Sequence, residues 1–335
     1  MYIVTATPCL PLKLRRSGTT KIHVGRPGAS QIGLSIRRSY GAWPHIRRQR
    51  TIQMALLTEL CLSKSPKAPW SLVVGFCCLA ACVLQAAEIQ SISPPEKDFF
   101  TKRLDYYAIP IKAPAVVADE ALYAAYGRLS MLLSNQPTVV SNLVSAGAEL
   151  HIIGRNQVTT DLPEWRHDKG VPRPEYKGKT RDERTRGMGG LLTSCGEENL
   201  LRLENDRYRG RDICIHEFSH NIRNHGVPRE VRTKFNDLYH RSLEKGLWEK
   251  SYAASNPDEF FAELTMWYFG THGDLHMTGP KPENGPEGLK NYDPEAFALL
   301  DEFYSGKMKI PPIEPGLRAK KQLERPITHA GNSTN

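Results

Sequence analysis

Residues 216–220 (HEFSH) combine two imidazoles and a carboxylate at a spacing that suits a metal ion. Residues four apart lie on one face of an α-helix, so His216 and His220 can reach a single zinc ion. Glu217 is rotated by about 100° and can hold a water molecule beside that ion. Neutral imidazole is a good zinc ligand and a nearby carboxylate can take up a proton. The motif therefore predicts one Zn²⁺ ion with Glu217 as the general base.

A hydrolytic zinc site needs a third protein ligand and an open position. Metzincins would carry Gly and His where this chain has Arg223 and Gly226, so that class is excluded. Downstream, Glu259 and Glu263 lie four residues apart on a predicted helix over residues 257–269, hence on one face. One of the two can bind zinc while the other orients a ligand imidazole. The spacing leaves open which carboxylate takes which role.

The helix that carries these two acids also supports a family resemblance. Residues 251–263 (SYAASNPDEFFAE) resemble the Tyr…Asn-x-x-Glu-Phe-Phe-Ala-Glu segment of the anthrax lethal factor catalytic domain. That family also begins its active helix with His-Glu-Phe-x-His. The chain looks like a compact, single-catalytic-domain relative of these gluzincin peptidases over roughly residues 98–305. The resemblance implies a zincin-like fold and a peptide or protein substrate.

The same resemblance assigns individual roles. It makes His216, His220 and Glu259 the zinc ligands, and Glu263 the carboxylate that orients an imidazole. It makes Tyr252 the hydroxyl that stabilises the oxyanion, a role that suits a donor aimed at developing charge. The toxin's receptor-binding and substrate-recognition domains have no counterpart in this length, so its substrates and its delivery are not expected here.

The surrounding pattern predicts a mixed α+β domain, mostly helical around the site, with a small sheet. Apolar spacing and capping residues predict helices over residues 119–134, 137–146, 209–224, 228–247, 257–269 and 294–304. Strands are predicted at 148–153 and 187–193. We expect a linker over 87–97, a polar loop over 161–187 that could be a lid or propeptide, and a flexible tail over 306–335.

The first 86 residues have the character of a leader. Residues 71–84 form an uncharged apolar run between Lys64 and Lys67 on one side and small residues on the other, as in a secretory signal over 54–86. At 14 residues the run is short for a membrane span, which needs about 20. Residues 79–82 also match a lipobox that would place a lipid on Cys82. Residues 1–53 indicate either an over-extended start or a transit peptide, and the signal predicts a secreted or cell-envelope protein.

Net charge does not indicate nucleic-acid binding. The formal charge is +9, but residues 1–53 hold ten Lys and Arg and no acid. Residues 87–335 hold 33 basic and 35 acidic residues, so the basic pI belongs to the leader.

Two cysteines, Cys195 and Cys214, lie outside the leader. In an exported domain they could form one disulfide, while the alternative is two separate buried thiols.

The prediction is thus an exported zinc endopeptidase. A zinc-dependent cell-wall or amide hydrolase on the same site stays open, as does a non-catalytic binding module that keeps zinc to stabilise its fold. The intact Glu217 argues against the last, since a structural zinc site has no use for a base there.

Overall fold

The sheet forms one layer of a mixed α+β structure that is about half helical. The computed structural model describes residues 87–271, 277 and 279–314, which fall within the unit Gln85–Asn335. The predictions for the leader, its signal and Cys82 lie outside the described residues, as do those for residues 315–335. No helix in the described part is long and apolar enough to cross a membrane.

Six strands form the sheet. They are β1 (Gln90–Glu96), β2 (Phe100–Tyr106), β3 (Ile109–Ala113), β4 (Glu149–Ile153), β5 (Gly187–Met188) and β6 (Leu192–Gly196). Their spatial order is β1-β2-β3-β4-β6-β5. The β3–β4 and β4–β6 pairs are parallel and the other pairs are antiparallel. Strand β5, which precedes the motif helix in sequence, therefore forms one edge of the sheet.

Nine α-helices accompany this sheet in the described residues. They are α1 (Asp119–Leu133), α2 (Pro137–Ala146), α3 (Arg181–Arg184), α4 (Glu197–Leu200), α5 (Ile213–Asn221), α6 (Arg229–Glu244), α7 (Pro257–Tyr268), α8 (Pro286–Tyr292) and α9 (Pro294–Tyr304). The longer helices bury apolar residues such as Leu122, Phe218 and Phe261 in one core with Leu150 and Ile152 of β4. The opposite face of β4 carries His151, which lies against Phe100.

The expected linker over 87–97 is wrong, because most of it forms strand β1. Pro94 and Pro95 are compatible with this position, since an edge strand has backbone N–H groups that need no ladder partner. The pairing with β2 shifts between Ser91 and Glu96, where the prolines lie. Pro94 and Pro95 therefore mark an edge strand of the sheet and not a linker.

The start of the expected tail is also ordered. Met308 is buried, and the Ile313 amide donates to Asn142 Oδ1 at 2.9 Å. Apolar residues just after α9 therefore continue the core that α9 begins.

The segment 161–187 is a folded connection and not a simple polar loop. Asp168 is buried and accepts hydrogen bonds from Arg173 and Arg181. The Arg181 guanidinium also lies 3.8 Å from the ring centroid of Trp165. These three charged side chains therefore form an internal network, and the segment leads directly into β5.

Candidate active site

Helix α5 presents both motif histidines on one side. Asp212 caps the helix by accepting a hydrogen bond from the Ile215 amide at 3.2 Å, and Ile215 and Phe218 anchor its other side in the core. The Nε2 atoms of His216 and His220 lie 3.2 Å apart. The i, i+4 spacing therefore brings the two imidazoles together as predicted.

Helix α7 brings a carboxylate to the same point. Asn256 caps α7 by accepting from the amides of Asp258 and Glu259 at 2.9 and 3.0 Å, and Pro257 occupies the first turn. Glu259 Oε2 lies 3.1 Å from His216 Nε2 and 3.5 Å from His220 Nε2. This oxygen is buried and accepts no hydrogen bond from the described residues. Such an unsatisfied atom is costly unless another group engages it.

The three ligand atoms have the spacing of a zinc site. Zinc–ligand distances of about 2.0–2.1 Å with tetrahedral angles place neighbouring ligand atoms about 3.3 Å apart. The three separations here are 3.1, 3.2 and 3.5 Å. His216, His220 and Glu259 thus fit three corners of a tetrahedron, and the donor set of two imidazoles and one carboxylate suits Zn²⁺.

Glu263, one turn further along α7, lies behind His216. Its Oε1 is 3.1 Å from His216 Nδ1, and it also pairs with Arg211. A carboxylate on Nδ1 fixes the ring orientation and leaves the Nε2 lone pair for a metal. Of the two acids, Glu259 is the one whose carboxylate faces the two Nε2 atoms. Arg211 was missed because nothing local in the sequence marks a partner 52 residues away.

Glu217 lies beside the ligands. Its carboxylate and the imidazole nitrogens of His216 and His220 lie within 4.8 Å of one another. Burial raises the pKa of Glu217 above its usual value, while the two imidazoles oppose that shift. A raised pKa suits a group that takes up and returns a proton near neutral pH.

The chain just after β5 passes directly over this carboxylate. A Cβ atom built on Gly189 would lie 3.2 Å from Glu217 Oε2 and 3.0 Å from two atoms of His220. A side chain here would crowd Glu217 and His220, which would have to move by a few tenths of an ångström. No sequence signal other than the Gly-rich run pointed to this close approach.

Tyr252 lies beside Glu259 and His216. It begins a short 3₁₀ turn, Tyr252–Ala254, which is held by a 2.9 Å hydrogen bond from Tyr239 Oη to Ala254 O. Its hydroxyl donates to Glu259 Oε1 at 3.1 Å, and its ring lies 6.2 Å from that of His216. Burial raises the pKa of Tyr252, and the Glu259 charge raises it further, so the hydroxyl keeps its proton.

The protonation states of His216 and Glu259 depend on each other. Burial would lower the pKa of His216, but the contacts with Glu259 and Glu263 outweigh it and raise the pKa to about 10. Burial would raise the pKa of Glu259, but His216 and His220 hold it well below its usual range. These contacts favour the protonated form of His216 and the charged form of Glu259, and a metal ion held there would compete with the proton on His216.

Among neighbouring residues, the two cysteines and two acids before α5 are buried. Cys195 and Cys214 are free, buried thiols and not a disulfide. Both belong to the apolar core between β6 and α5, where a thiol packs as a small apolar group. Glu197 and Glu198, at the start of α4, are buried and pair with Arg155 and Arg186.

Comparisons with known proteins add little to this geometry. No family model matches the chain, and no curated protein matches it in sequence. A solved structure with partial similarity is the Pro-Pro endopeptidase PPEP-2 from Paenibacillus alvei, at 18% identity and a TM-score of 0.43. The alignment covers 60% of this chain and 97% of that one. A TM-score this low does not establish a common fold.

Proposed function

We propose that this chain is a zinc-dependent endopeptidase of gluzincin type, with a zincin-like catalytic domain. The observation that carries the proposal is the convergence of His216 Nε2, His220 Nε2 and the unsatisfied Glu259 Oε2 at tetrahedral spacing. Three protein ligands leave a fourth position open, which is typical of a catalytic and not a structural zinc site.

In the proposed reaction, zinc supplies Lewis acidity that polarises the scissile carbonyl and lowers the pKa of a water molecule. Glu217 accepts a proton from the attacking water and returns it to the leaving amine. The Tyr252 hydroxyl turns from Glu259 to the substrate oxygen and donates a hydrogen bond to the developing negative charge. Glu263 holds the His216 ring throughout.

A peptide substrate is favoured by the edge position of β5. An extended peptide can pair with exposed backbone groups at a sheet edge, and residues 187–189 place that edge against Glu217. A cell-wall glycan has no such ladder of amide groups. A zinc-dependent hydrolase of cell-wall peptides or other amides remains the second candidate, since it would use the same residues.

Export is part of the proposal and rests on the sequence of residues 54–86. The signal pattern there predicts a secreted or cell-envelope location, with membrane attachment only through the signal or a lipid on Cys82. Sequencing of the mature N-terminus tests it: a terminus upstream of Met54 would contradict this signal.

The decisive experiment compares wild type with Glu217→Gln on a diverse peptide library, with metal content measured on both proteins. We expect Glu217→Gln to keep its zinc and to lose about 10²–10⁴-fold in kcat, because only the base is removed. The matched control is Glu244→Gln, which changes an exposed acid on α6 and should retain full activity. Unchanged cleavage in Glu217→Gln, or a metal-loaded wild type that cleaves cell-wall material but no peptide, contradicts the proposal.

A further inference from the structure

Two arginines flank the motif helix, and both reach across to α7. Arg211 lies just before the cap of α5 and pairs with Glu263, while Arg223 follows α5 and pairs with Asp258, Nη1 to Oδ1 at 2.6 Å. Their two partners lie on either side of Glu259 in sequence. The ion pairs therefore fix α7 to the histidine helix above and below the third ligand.

The two helices run in opposite directions. The Asp212 amide donates to Thr271 O at 3.0 Å, which joins the start of α5 to the chain just after α7. Arg211 then meets the middle of α7, and Arg223 meets its first turn. Because Glu259 and the histidines belong to different helices, their separation depends on the register of these two helices. A displacement of about 1 Å is enough to spoil such a site.

Burial sets these arginines apart from surface charges. The side chains of Arg211 and Arg223 are only 9% and 7% exposed. Both Nε atoms are buried without a hydrogen-bond partner among the described residues. A buried donor left unsatisfied is unfavourable for folding. Sites that require a particular geometry commonly contain such destabilising positions.

Charge balance gives Arg211 an additional role. Three carboxylates, Glu217, Glu259 and Glu263, gather around the two imidazoles. Arg211 contributes a positive charge beside Glu263 in this buried position. Without Arg211, Glu263 would lose an ion-pair partner in a buried position, and its hold on His216 would weaken.

We propose that Arg211 and Arg223 are positioning residues for the third zinc ligand, Arg211 acting through Glu263 on His216 and Arg223 acting through Asp258 on Glu259. The inference rests on the proposed zinc site and is independent of the reaction performed there.

The test measures metal binding by the full chain, by competition with a chromogenic chelator, for Arg211→Met and Arg223→Met. Outer partners of a zinc ligand are typically worth about 10–100-fold in affinity. We expect a loss in that range for Arg211→Met and near its lower end for Arg223→Met, because Asp258 is half-exposed and does not touch a ligand. Arg211→Lys and Arg223→Lys keep the charge and should recover part of the affinity.

A spectroscopic readout separates positioning from general destabilisation. With Co²⁺ in place of zinc, both Met variants should show altered visible bands, since these bands report ligand geometry. The matched control is Lys112→Met, which removes a buried, ion-paired cation on the sheet face away from α5. We expect it to lower the unfolding midpoint while changing neither zinc affinity nor the cobalt spectrum.

A double-mutant cycle tests the route through Glu263. If Arg211 acts through this carboxylate, Arg211→Met should cost little further affinity in a Glu263→Gln background. Fully additive losses overturn the route, and unchanged zinc affinity and cobalt spectra in folded Met variants overturn the inference. If a Met variant does not fold, the Lys variant and Asp258→Asn or Glu263→Gln give the same readout.

A failure of the proposed function can be distinguished from a failure of the positioning role. A wild type that binds zinc but cleaves no peptide overturns the proposed function and leaves the positioning role standing. A wild type that binds neither zinc nor Co²⁺ overturns both.

Discussion

Two buried histidines, His151 and His216, are both held by carboxylates, yet the two clusters differ in what their ring nitrogens face. His151 Nδ1 lies 2.6 Å from Glu164 and its Nε2 lies 2.8 Å from Glu149. Lys112 Nζ contacts the same Glu149 oxygen at 2.8 Å. Both nitrogens are occupied and a lysine already supplies a cation, so this cluster has no place for a metal.

In the His216 cluster, the inner atoms face one another. Glu263 lies 3.1 Å from Nδ1, while Nε2 faces a second imidazole at 3.2 Å and the Glu259 carboxylate at 3.1 Å. Both clusters contain histidines and carboxylates, so residue type alone does not distinguish a candidate metal site from an ion-pair network. The difference is whether two imidazole nitrogens and a carboxylate oxygen converge on one point at the spacing that a metal ion requires.

Removing one carboxylate from each cluster should produce the largest contrast. We expect Glu259→Gln to lower zinc affinity by more than the roughly 100-fold that an outer-shell change costs, because a neutral amide replaces a charged ligand. Peptidase activity should fall with it. Glu149→Gln should leave zinc affinity and kcat unchanged, since its partners are His151 and Lys112. Chelator competition measures both variants, and equal losses would show that the clusters are not independent.

The His216 cluster could be predicted from sequence patterns because its parts are local. The i, i+4 pairs and the Asn256 cap need only the geometry of one helix, and the family resemblance supplied the roles of Glu259 and Tyr252. The structure places both residues at the histidines, and their roles stay predictions. Helices α2 and α9 have the predicted bounds, and the other predicted helices differ by a few residues at their ends.

Partners far apart in sequence could not be found in this way. The pairs of Arg211 with Glu263 and of His151 with Glu164 depend on how elements pack. Composition misled at Pro94 and Pro95, because prolines suit both linkers and edge strands. It also misled at residues 161–187, where Asp168 is buried and pairs with Arg173 and Arg181.

Access is a second difference between the clusters. His151 is fully buried, whereas Tyr252, beside Glu259, is 37% exposed. We expect Tyr252→Phe to lower kcat by about 10²–10³-fold, because one donor to the oxyanion is lost. Zinc affinity should stay unchanged, since the hydroxyl reaches only Glu259 Oε1. Steady-state kinetics beside Tyr123→Phe, an exposed tyrosine on α1, provides the check. A higher KM with an unchanged kcat would instead make Tyr252 a substrate-binding residue.

The smallest effect should come from His151→Gln, which acts on stability. Burial would lower the pKa of His151, but hydrogen bonds with Glu149 and Glu164 outweigh it and raise the pKa above its usual value. A raised folded-state pKa means that the stabilisation is complete below the unfolded pKa of about 6.5 and is lost as pH rises through the folded one. In zinc-loaded protein, His151→Gln should therefore cost about 1–3 kcal/mol at pH 6 and less at alkaline pH.

Urea unfolding across this pH range measures the difference between wild type and His151→Gln. The zinc-loaded form is used because bound metal removes the proton from His216, which would otherwise titrate in the same range. A difference that stays constant with pH would show that His151 is held neutral, and a fall in zinc affinity would join the two clusters. If neither occurs, His151 is held by a proton that it shares with carboxylates, and His216 is left free to bind a metal. The two histidines then serve different purposes on opposite faces of the same sheet.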